Sequence, residues 1–267
     1  DDPVLPSSIA YISVLSFLRR IGRVDRLEET LAELASVSRG IQRKNPSSNF
    51  GVDIVAFNTY LGAICDAAVA GRPYPSFEDK DEITESNMFN FTNFNNTLDG
   101  TTSSEKYLYK GLNLLRGDVA RKKFALECDP DIYSFNSLLA AVAKCSKPGR
   151  NLRSISDSCL LTMKKQGVEF DTLTYNARIQ AAVAADEEDY AIQLIDELLI
   201  ANPNLAVDRY TINLALMPFV KARRKGQILA LMRDFYDDNA GRNNQIIVSA
   251  FEAFLNTLVQ NDEVGLA

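Results

Sequence analysis

Four stretches of the chain share one skeleton: an aspartate, three residues, a bulky apolar residue and an asparagine. They read DIVAFN at 53–58, DIYSFN at 131–136, DTLTYN at 171–176 and DRYTIN at 208–213. The chemistry open to these residues is hydrogen bonding. An asparagine amide both donates and accepts, whereas a carboxylate only accepts, so together they can orient and read a polar group. An aspartate just ahead of a helix can also cap its first N–H groups, which is the plainer role. Acid–base chemistry has less to stand on. The 267 residues include no histidine, which removes every imidazole relay. The four cysteines, Cys65, Cys128, Cys145 and Cys159, form no CxxC pair, so they read as thiols of a reduced compartment. Neither a metal site nor a cofactor is expected.

The elements that hold the four hexamers repeat with them. Each hexamer runs into an apolar segment of helical period: TYLGAICDAAVAG, SLLAAVAKC, ARIQAAVAAD and LALMPFVKARRKG. A second amphipathic segment follows. After residue 186 it places Tyr190, Ile192, Leu194, Ile195, Leu198 and Leu199 on one stripe, and after residue 150 it places Ile155, Leu160, Leu161 and Met163 there. GQILALMRDFYDD follows residue 225, and near the start residues 22–35 carry Leu27, Leu31 and Leu34 in the same way. Gly167 stands where a helix should end. The asparagines lie 78, 40 and 37 residues apart. Two such helices cannot bury their apolar faces alone, but stacked neighbours share one core. The expected fold is all-α, a single α-solenoid over 1–267 in which helical hairpins stack into a right-handed superhelix.

Residues 72–104 interrupt the second unit. They hold Pro73, Pro75, the acidic run EDKDEITE (78–85) and an Asn/Phe-rich tract with no helical period, and so read as an insertion loop. Asn90 and Asn95 fall there in N-x-Thr sequons, read as coincidental. Pro218 is expected to kink or shorten its helix. Arg178 stands where other copies carry Leu138 and Tyr60.

The net charge of −6 argues against a dominant polyanion-binding surface, although the acidic run contributes part of it. No stretch is apolar enough to span a membrane. The opening residues DDPVLPSSIAY contain no basic-then-apolar secretory signal. They also lack an initiating methionine, which points to a processed or excerpted chain.

The hexamer, its two helices and the closing aspartate resemble the pentatricopeptide repeat family, whose unit is near 35 residues. Residues 171–208 match best. SSIAYISVLSFLRRIGRVDRLEETL looks like an earlier unit with Ile12 in the asparagine's place, and 243–259 like a further half-unit with Ser249 there. The tetratricopeptide signature fits less well, because the chain has no Trp and that repeat has no Phe/Tyr-Asn.

The resemblance implies single-stranded RNA along a concave face at one base per unit. Its reading pairs match Asn58 with Asp131, Asn136 with Asp171, Asn176 with Asp208, and Asn213 with Asn243 or Asn244. Asn–Asp pairs imply uracil and Asn–Asn a pyrimidine, hence a U-rich target. Val55, Tyr133, Leu173 and Tyr210 match the base-sandwiching positions, and Lys144 and Lys221 would meet phosphates. The family implies a mitochondrion or plastid, with proteins of an organellar RNA-processing or ribosomal assembly as further partners. None of its appended catalytic modules is visible, so no enzyme is expected. The alternative is a helical scaffold that holds a protein on the same face.

Overall fold

The structure is a computed structural model that describes residues 8–45, 50–74, 101–116, 124, 129–150, 152–198 and 209–221, together with the single positions 226, 233, 252 and 255. Among the described residues the named elements are nine α-helices: α1 (Ser8–Ile21), α2 (Val24–Lys44), α3 (Ile54–Val69), α4 (Ser103–Leu115), α5 (Ile132–Cys145), α6 (Arg153–Lys165), α7 (Thr172–Ala184), α8 (Glu188–Asp196) and α9 (Arg209–Lys221). The expected all-α class stands. The chain forms two compact units, 1–141 and 142–267, and the division falls inside α5.

In the first unit α1 pairs with α2 and α3 with α4, while α3 also packs on both α1 and α2. The second unit repeats the arrangement: α7 pairs with α8, and α9 packs on both. A first helix seated on both helices of the hairpin before it is how a hairpin buries a stripe it cannot cover alone. Ion pairs accompany this packing, with Arg19 of α1 to Asp66 of α3 at 2.8 Å and Lys110 of α4 to Glu28 of α2 at 2.6 Å.

The helix starts follow the hexamers. Asp53 Oδ1 accepts from the Ala56 N–H at 2.8 Å, Asp131 Oδ1 from the Ser134 N–H at 2.9 Å, and Asp171 Oδ1 from the Thr174 N–H at 2.8 Å. Thr102 caps α4 through a reciprocal box with Glu105, so the second helix of that unit resumes where the sequence places it. The helix ends are equally local. Gly167 has φ +70°, its N–H bonds to the Lys164 carbonyl, and the Val168 N–H reaches back to Met163. That pair of bonds closes the last turn of α6 and requires the left-handed conformation glycine adopts without strain. Asp186 performs the same closure after α7 at φ 59°.

Leu27, Leu31 and Leu34 are buried, as are Leu194, Ile195 and Leu198. On α6 the stripe is Ile155, Cys159, Leu160 and Met163, and Leu161 points to solvent. The expectation for Leu161 was out of phase: positions 155, 159 and 163 keep the four-residue step of one helix face. Pro218 does not end its helix, because α9 continues to Lys221. Arg178 is a tether. Its guanidinium is nearly buried, donates to the Tyr190 hydroxyl at 3.0 Å and lies 3.5 Å from the Glu197 carboxylate, joining α7 to α8. At the entry to the insertion, Tyr74 packs edge-on against Tyr107, whose hydroxyl donates to the Pro73 carbonyl. Residues 75–100 with both sequons, Cys128, the segment GQILALMRDFYDD apart from Gly226 and Arg233, and most of 243–259 with Ser249 lie outside the described residues.

Candidate nucleic-acid interface

Each hexamer divides its side chains between two tasks. Counting from the aspartate, the fourth residue is core: Phe57 and Phe135 in the first unit, Tyr175 and Ile212 in the second, all buried. The second residue is the opposite. Val55, Tyr133, Leu173 and Tyr210 are each more than half exposed, although all four are large and apolar or aromatic. Two residues apart on a helix means about 200° of rotation, so one position faces the core while the other faces away.

The register adds two residues that the hexamer search does not reach. Ile9 stands three before Ile12, as Val55 stands three before Asn58, and is 75% exposed, the largest value among the exposed apolar residues. Arg20 stands eight after Ile12, matching Lys144 eight after Asn136 and Lys221 eight after Asn213. Arg20 and Lys144 are exposed, whereas the side chain of Lys221 lies outside the described residues. In α3 that place in the register is taken by Asp66, paired with Arg19, so this helix carries no cation there. The signal for Ile9 and Arg20 was spacing alone, because the first unit has lost its asparagine.

Asn58 and Asp131 meet as the pairing implied, although they are 73 residues apart in the chain. Asn58 Nδ2 donates to Asp131 Oδ1 at 3.3 Å, and Asn58 Oδ1 accepts from the Ser134 hydroxyl at 2.5 Å. Ser134 Oγ is also 2.8 Å from Asp131 Oδ1. Burial raises the Asp131 carboxyl, but the hydrogen bonds it accepts, with the Ser134 N–H and the Asn58 amide among them, outweigh it and hold the group below its ordinary value. A depressed carboxyl stabilises the fold above its unfolded-state value of roughly 3.9, and that contribution is lost as pH falls through the folded one. Asp131→Asn should therefore lower stability at pH 7, with the gap to wild type closing towards pH 3. Urea denaturation at the two pH values checks this; a gap that stays constant contradicts it.

Asn136 is half-buried, as is Asn213, whose Oδ1 is buried with no partner among the described residues. Asn176 is 3% exposed. Its Nδ2 donates to Thr211 Oγ1 at 3.0 Å and its Oδ1 is buried without a partner among the described residues. The unit with the closest sequence match thus keeps its asparagine covered, while Leu173 and Tyr210 beside it stay open. Asp171 is part of a cap with Thr174, and Asp208 and Asn244 lie outside the described residues.

Among the described residues no cluster of His, Cys, Asp or Glu could hold a metal ion, and no helix is long and apolar enough to cross a membrane. Cys65, Cys145 and Cys159 are buried thiols. No protein-family model matches the chain, and no curated protein matches it.

Proposed function

We propose that the chain is a pentatricopeptide-repeat-like α-solenoid that binds single-stranded, U-rich RNA along its first helices, one base to a unit, without catalysing a reaction. The observation that carries this reading is the exposed second residue of every hexamer. Val55, Tyr133, Leu173 and Tyr210, with Ile9 in the same register, hold large apolar surface in water at a repeated place, where burying the exposed part of each would return about 1–2 kcal/mol. Tyr133 and Tyr210 offer aromatic faces of the kind on which successive bases stack. Asn58, bound on one side by Asp131 and Ser134, keeps further donor and acceptor capacity for a base edge. Arg20, Lys144 and Lys221 would meet phosphates. Organellar location and a role beside other RNA-processing or ribosomal proteins belong to the same proposal.

The net charge of −6 and the aliphatic Ile9, Val55 and Leu173 are equally suited to an apolar protein ligand, which makes a scaffold the second reading. Asn58→Thr separates the two. By the resemblance, a Thr–Asp pair prefers guanine, so the variant should move preference from uracil to guanine at one nucleotide of the target and leave the others unchanged. A variant that alters no single position, in a protein whose partner survives nuclease treatment, supports the scaffold.

A further inference from the structure

The Ser134 hydroxyl sits where two roles meet. It belongs to the cap of α5, through Asp131, yet its shortest contact is to a side chain on α3, the Asn58 carbonyl at 2.5 Å. A hydroxyl has one proton to give. The Ser134 N–H at 2.9 Å and Asn58 Nδ2 at 3.3 Å already supply Asp131 Oδ1, so the proton goes to Asn58 Oδ1. The amide is then held at both atoms. Its oxygen faces Ser134 and its nitrogen faces Asp131, which leaves one N–H and one lone pair in a fixed order.

The second unit contains a related contact of opposite polarity. Thr211 stands three after Asp208, as Ser134 stands three after Asp131, and its Oγ1 accepts from Asn176 Nδ2 at 3.0 Å, while Asn176 Oδ1 has no partner among the described residues. Capping alone does not demand a hydroxyl at this place. Asp53 caps the Ala56 N–H at 2.8 Å with a methyl there, and the unit before Ala56 is the one that carries Ile12 instead of asparagine. Where the preceding unit has an amide, the next hexamer carries Ser134, Thr174 or Thr211. The hydroxyl follows the amide, not the cap.

We propose that Ser134 is a positioning residue that locks the amide of Asn58 in one orientation and thereby fixes the base preference of that unit. This rests on the RNA reading above, and it adds a third determinant, borne by the following hexamer, to the Asn–Asp pair. An amide free to rotate presents donor and acceptor in either order and so discriminates poorly between base edges.

The test uses the full chain and an RNA series in which the nucleotide assigned to Asn58 is U, C, A or G. Wild type should prefer U over A there by about tenfold, the worth of one hydrogen bond. Ser134→Ala should reduce this to under threefold at that nucleotide alone, and Ser134→Thr should retain it. A merely structural role would weaken all positions together and would not be rescued selectively by threonine. If wild type shows no preference at any nucleotide, the RNA reading fails and this proposal with it. If wild type discriminates and Ser134→Ala discriminates as well, this proposal alone is overturned. A readout without RNA is the side-chain amide resonance pair of Asn58, which should shift in Ser134→Ala while that of Asn213 stays in place; an unmoved pair also overturns the lock.

Discussion

Phe57→Ala is expected to cost about 3–5 kcal/mol of stability, the range for emptying a fully buried aromatic site. The Phe57 side chain is completely buried, and its backbone N–H bonds the Asp53 carbonyl, so it sits in the first turn of α3 beneath the cap. α3 as a whole packs on both helices of the preceding hairpin, so its core face belongs to a shared core rather than to one hairpin. Domains of this size hold about 5–15 kcal/mol in total, so the variant should unfold at much lower urea. Val55→Ala, two residues earlier on the same helix, should change stability by less than about 0.5 kcal/mol, because Val55 is already exposed. Urea titration followed by helical circular dichroism checks both. A Phe57→Ala cost below about 1 kcal/mol, or a Val55→Ala cost as large as it, would mean that the division of the hexamer into core and face is misassigned.

The second large effect concerns binding. Tyr133 and Tyr210 are exposed aromatic members of the hexamers' outward position, and base–aromatic stacking is worth about 1–3 kcal/mol per base. The double change Tyr133→Ala/Tyr210→Ala should therefore weaken RNA binding by about 2–6 kcal/mol, from about thirtyfold upwards, if the two contacts act independently. Because both rings are more than half exposed, the fold should be nearly unaffected. Replacement by phenylalanine keeps a π-face and should retain most of the affinity. An alanine double variant that remains folded and binds RNA as wild type does would remove stacking from the account, and with it the strongest support for RNA over a protein ligand.

Much of the architecture was legible because its signals are local. The aspartates at 53, 131 and 171 announce helix starts through a hydrogen bond three residues away, and Gly167 announces a stop through its own φ. The stripe of Leu27, Leu31 and Leu34 needs only helical period. What was not legible depends on residues distant in the chain. Arg178 had no account until Tyr190 and Glu197 of the next helix were placed beside it. Ser134 carried no signal of its own, since nothing in the sequence near it reveals Asn58, 76 residues away. Asn176 occupies the same register as Asn58 yet is 3% exposed, a difference that spacing does not reveal. Leu161 failed for a smaller reason: adjacent leucines both fit a loose stripe, and the choice of face is settled by Cys159 one turn after Ile155. On the candidate interface, spacing predicted which side chains share a register, and the structure added which of them are open to solvent.

The account's central claim is that these outward positions bind RNA and prefer uracil. Its most direct test is equilibrium titration of the chain with labelled U-rich and A-rich single strands of equal length, each at a low and a higher salt concentration. The account predicts tighter binding of the U-rich strand at both salts. Because few cations are available, affinity should fall with a shallow log–log slope of about −1.5 to −2, as for two or three phosphate contacts on a single strand. Equal or undetectable binding of the two strands at the lower salt would contradict it.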